Sequence, residues 1–82
     1  MYIIKTRYKR NKKDLILYWG IQSRFVVDKK VNKEEIKNFV HTNYFSNLKL
    51  AQRKLENVPD RLFIEFDDAI LLTSQIVSLG DI

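Results

Sequence analysis

The sequence predicts a small α+β domain: an antiparallel sheet, made of an N-terminal β-meander and C-terminal strands, with one or two helices packed on it. Three observations carry that class. β-Branched and aromatic residues alternate with a period of two from Tyr2 to Lys9. Two more strand-like runs follow within the first 27 residues over short connections, the pattern of a meander. A capped segment with helical spacing then occupies 46–57. Eighty-two residues are too few to enclose two cores, so 1–82 reads as a single domain.

In the first strand, Tyr2, Ile4, Thr6 and Tyr8 fall on one face and Ile3, Lys5, Arg7 and Lys9 on the other. Asn11-Lys12-Lys13-Asp14 supplies a polar turn without the Asn-Gly or Asp-Gly pair of a tight hairpin. Leu15 to Trp19 is the second strand, apolar on both faces, and Gly20 breaks it. Ile21-Gln22-Ser23 leads to a third strand, Arg24-Phe25-Val26-Val27.

Asn32 followed by Glu35 has capping-box spacing, and Ile36, Phe39 and Val40 recur at i, i+3, i+4, which predicts a short helix over 33–41. The clearer helix is 46–57. Ser46 is its expected N-cap, Leu48, Ala51 and Leu55 mark one face, and Asn57 with Pro59 ends it through a left-handed cap. Residues 61–66 read as a strand, with Leu62 and Ile64 on one face and Phe63 on the other; Asp67-Asp68 reads as a turn or cap. The run 69–79 fits both periods, and its Thr, Ile and Val content tips it towards strand.

The composition excludes several kinds of chemistry. Without cysteine there are no disulfides and no thiolate nucleophile, as suits an intracellular protein. Gly20 and Gly80 are too far apart for a phosphate loop. His41 has no metal-ligating companions, and Asp67-Asp68 lacks a ligand loop, so no metal or cofactor is expected. No apolar run approaches a membrane span, and nothing ahead of Tyr2 reads as a signal peptide. The expectation is a cytoplasmic protein that is not an enzyme.

Charge is the informative property. Residues 1–33 hold ten Lys/Arg against two Asp, a balance of +8; residues 34–82 hold five against eight Asp/Glu, a balance of −3. Six cations fall in nine residues: Lys5, Arg7, Lys9, Arg10, Lys12 and Lys13. On a strand, Lys5, Arg7 and Lys9 would form a row spaced about 7 Å apart, near the interval between successive phosphates, with Arg10, Lys12 and Lys13 extending it into the turn. Tyr18 and Trp19, if exposed, would stack on unpaired bases. This surface suits nucleic acid or an acidic protein; its structural alternative is core aromatics with lysines protecting a sheet edge. The apolar content of 15–19 and 69–79 exceeds what one short helix covers. That predicts either a homodimer or docking surface, or helices on both faces of the sheet.

Tyr2-Ile3-Ile4-Lys5, the polar turn, Arg24-Phe25-Val26-Val27-Asp28 and a helix carrying Ala51 together resemble the short accessory proteins encoded by phages and prophages of low-GC bacteria. The resemblance spans about the first 66 residues and rests on short patterns. It implies a non-catalytic α+β protein that inhibits or redirects a host protein, and it carries over no functional residues. The apolar C-terminal segment departs from that layout. The leading expectation is a non-enzymatic binding protein acting on a host or phage protein; the alternative is a nucleic-acid-binding module.

Overall fold

The computed structural model describes residues 1–62 and 68–82. Strand β1 spans Tyr2–Arg10 and pairs antiparallel with β2, Lys13–Trp19, from Arg10↔Lys13 at the tip to Ile4↔Trp19 at the base. Only Asn11 and Lys12 connect them, at φ 48° and 67°. Two central residues with positive φ match the right-handed twist of the flanking strands. The expected four-residue turn is therefore shorter by half, with Lys13 and Asp14 inside the ladder. Asn tolerates this region of backbone space; Lys12 adopts it at a cost.

Strand β3, Arg24–Val27, pairs with β2 and completes the meander. Gly20 does more than end β2. Its N–H donates to the Ser23 carbonyl at 2.8 Å, and the next N–H, of Ile21, donates to the Asn43 carbonyl at 2.9 Å. A Cβ on Gly20 would sit 2.5 Å from both the Cβ and the carbonyl oxygen of Asn43. The absent side chain is what lets the end of helix α1, Lys33–Asn43, close on this turn.

The ambiguous C-terminal run is a strand. β5, Ala69–Ser78, lies antiparallel along the other side of β1, from Tyr2↔Ser78 to Lys9↔Ile70. The register slips between Arg7 and Tyr8, whose partners are Thr73 and Leu71, so Leu72 is the extra residue of a bulge. Leu79 falls outside the strand, in a 3₁₀ turn over Leu79–Asp81. β4, Arg61–Leu62, pairs with the start of β5. The expected strand continues into 63–66, and Asp67 follows; these lie outside the described residues. The sheet order is β3-β2-β1-β5-β4, which makes β1 the central strand.

Both helices form where capping predicts, with shifted ends. The Asn32 side chain accepts the Glu35 N–H at 2.9 Å, and α1 runs two residues past the expected end. Helix α2 is Leu48–Glu56, and its N-cap is Asn47, which accepts the Leu50 N–H at 2.9 Å, rather than Ser46. Its C-cap also differs from expectation. Asn57 has φ −102°, so no left-handed residue is used. Instead its N–H reaches the Lys54 carbonyl and its side-chain amide the Arg53 carbonyl, each at 3.0 Å.

The helices take opposite faces of the sheet. Ala51 of α2 packs with Ile4, Tyr8, Leu17, Trp19 and Phe45, with Leu55 of the same helix and Leu71 at the margin. Leu48, expected on that buried face, is exposed. On the second face Ile3 and Tyr18 pack against Val40 of α1, and Phe25 stacks on Phe39 at 5.2 Å. Buried Thr6 holds the first face together, its hydroxyl accepting the Trp19 indole N–H at 2.8 Å.

Candidate binding face

Alternation along β1 sets Lys5, Arg7 and Lys9 on the face opposite α2. Register gives each cation its neighbours. Lys5 lies between Tyr18 and Gln75, Arg7 between Ile16 and Thr73, and Lys9 between Asp14 and Ile70. The cluster under helix α1 and the C-terminal turn takes in Ile3, Tyr18, Phe25 and Val77 and, along the β2–β3 side, the half-buried Ile16 and Val27. Towards the hairpin tip, Arg7, Lys9, Thr73 and Gln75 are exposed, while Lys5 is half-buried at the margin of the covered part. Ile70, opposite Lys9 and 46% exposed, adds apolar surface there.

Asp14 tempers the charge. It lies 4.0 Å from the Arg7 guanidinium and 3.7 Å from the Lys9 ammonium, and all three side chains are about half exposed. Water screens such pairs, which contribute about 0–1 kcal/mol. They are weak enough for a competing anion to replace.

The six-cation stretch is not one surface. Arg10 and Lys13 face each other across the hairpin and, by alternation, lie on the α2 side of the sheet; Lys12 sits at the tip. Arg10, Lys13 and Lys29 instead line an open cleft of about 590 Å³ with Asp28, Leu15 and Val26. The pleat of β1 keeps Lys5, Arg7 and Lys9 on one face as expected, while Arg10 and Lys13, expected to extend that row into the turn, lie on the other.

The stacking role that exposure would give Tyr18 and Trp19 is corrected to its alternative, core aromatics. Each is 8% exposed, Trp19 under α2 and Tyr18 against α1. Trp19 spends its N–H on Thr6, and the Arg24 guanidinium lies 5.6 Å above its ring. Burial also pushes the Tyr18 phenol above its ordinary pKa. Tyr8 is fully buried, with its hydroxyl donating to the Pro59 carbonyl at 2.8 Å, and burial raises its pKa too. In the finished sheet the lysines of β1 protect no edge, because β1 is the central strand.

The remaining candidates sit apart from this face. His41 is exposed in the last turn of α1, and Asp68 accepts a hydrogen bond from Arg61 at 3.1 Å in a turn with φ 52°. Asp67 lies outside the described residues. Among the described residues no group of three or more His, Asp or Glu is placed to hold a metal ion, and no helix is long and apolar enough to cross a membrane.

Alternation placed the lysine row but could not name its flank. Thr73, Gln75 and Ile70 join the face only through the β1–β5 register. Asp14 was within reach of a hairpin argument, since a two-residue turn sets it opposite Lys9. No protein-family model, curated protein or solved structure matches this chain.

Proposed function

We propose that the chain is a small non-enzymatic binding protein that acts by protein–protein contact, with the uncovered part of the second sheet face as its contact surface. The observation that supports this is the row Lys5, Arg7 and Lys9 on the central strand, turned to the part of the face beyond α1. Ile70, exposed beside Lys9, gives the surface the mixed apolar and charged make-up of a protein contact. A host or phage protein presenting an acidic surface is the partner class that suits it. An accessory or inhibitory role follows from the resemblance to phage accessory proteins.

One observation favours a second reading, as a nucleic-acid-binding module. The spacing of about 7 Å along the row suits a phosphate backbone. Burial of Tyr18 and Trp19 removes the stacking platform from that reading.

The test compares the natural chain with the triple variant Lys5→Glu, Arg7→Glu, Lys9→Glu. Protein contact predicts a partner cross-linked by the natural chain and lost with the variant, beside flat titrations with single- and double-stranded DNA and RNA at low salt. A steeply salt-dependent nucleic-acid affinity that the variant abolishes would establish the second reading instead. Mass measurement in solution separates a homodimer from both.

A further inference from the structure

We propose that the occupant of this face is an acidic amphipathic helix of the partner, seated along β1 beyond the end of α1. The inference rests on the protein-contact reading above and specifies the partner's form. Its argument begins with hydrogen bonding. β1 is bonded to β2 on one side and β5 on the other, so its main-chain donors and acceptors are engaged in ladders. An extended segment laid on such a face finds no main-chain partners, and its own N–H and C=O groups lose water without return. A helix has already satisfied its backbone and covers a sheet face at no such cost, as α1 and α2 both do.

Length and charge then agree. Lys5 to Lys9 spans about 13 Å along the strand, which about nine residues of helix match. Carboxylates at i, i+4 and i+8 rise about 6 Å apart along a helix, close to the interval between alternate strand residues. Three acidic residues on one helix edge would therefore meet Lys5, Arg7 and Lys9 in sequence, while apolar residues beside them would cover Ile70. Asp14, which now shares Arg7 and Lys9, would be released to water.

The probe is a synthetic peptide of about 16 residues, long enough to form helix on binding, with Glu at i, i+4 and i+8 beside a leucine stripe. One control distributes the same residues around the helix; another breaks it with two central prolines. Amide shifts of Lys5, Arg7, Lys9, Thr73 and Gln75 in nuclear magnetic resonance spectra, with a gain of peptide helicity, are the expected result. Both controls should bind at least tenfold more weakly. Arg7→Glu should cost at least tenfold, and Thr73→Lys, which adds a cation opposite Arg7, should tighten binding severalfold. Equal binding of the proline-broken peptide would remove the helix and leave the acidic-protein reading standing. No response of these amides to any peptide would remove both. Tighter occupation of the same amides by a thymidine oligonucleotide at matched salt would also overturn the proposal.

Discussion

At the residue scale the most consequential side chain is Thr6, the one polar residue that is fully buried among those described. Its oxygen is the acceptor for the Trp19 indole N–H, and its own hydroxyl reaches the Leu17 carbonyl at a long 3.5 Å. Thr6→Val keeps the shape and orphans a buried donor, at a cost of about 1–3 kcal/mol. Urea denaturation should read that loss; a change below about 0.5 kcal/mol would show that the bond is idle. Tyr8 makes a prediction in pH. Burial raises its folded-state pKa above the ordinary 10.0, so the folded chain holds the phenolic proton more tightly than the unfolded one. Stability is complete below about pH 10 and falls as pH rises towards the folded pKa. Tyr8→Phe should flatten that alkaline decline in thermal melts, at a cost of about 0.5–1.5 kcal/mol at neutral pH for the lost bond to Pro59.

At the element scale the turns hold the most recoverable stability. Lys12 pays for a left-handed backbone that only glycine adopts freely. Lys12→Gly makes Asn11-Gly, the pair that this turn favours, and should stabilise the hairpin by about 0.5–1 kcal/mol, seen as a higher urea midpoint. Gly20→Ala should do the opposite, costing about 1–3 kcal/mol by overpacking against Asn43. Its φ is not positive, so the penalty there is steric. Elements also show where sequence reasoning reaches its end. The alternation of β1 was plain because Lys5, Arg7 and Lys9 recur at every second position. The turn was obscured because Lys12 does a glycine's work. Ser46 and Asn47 are adjacent, equally competent caps, and the spacing that predicts the helix does not choose between them. β5 fits both periods, and it becomes a strand because β1 offers it a full ladder.

At the scale of the whole molecule, the order β3-β2-β1-β5-β4 decides what the basic stretch can be. Alternation tells which face a residue takes and says nothing about which strand lies beside it, so the central place of β1 was not legible in the sequence. Burial of Tyr18 and Trp19 was legible as the alternative, since large aromatics in so short a chain are recruited to the core. With the cations on a central strand, reversing their charge removes no ladder bond. The triple Glu variant should therefore keep its circular dichroism spectrum and lie within about 1 kcal/mol of the natural chain, apart from losing two surface ion pairs. A variant that unfolds would instead make the row structural.

Tyr2 lies opposite Ser78, so β1 waits for almost the whole chain before its second flank is filled. During synthesis the meander of β1, β2 and β3 can assemble from local contacts, while β5 closes the largest loop in the molecule at the end. Until it does, the growing chain presents a long open edge on its most basic strand. The same lysines that later mark the finished surface stand on that strand throughout, where like charge discourages one nascent chain from pairing with the next.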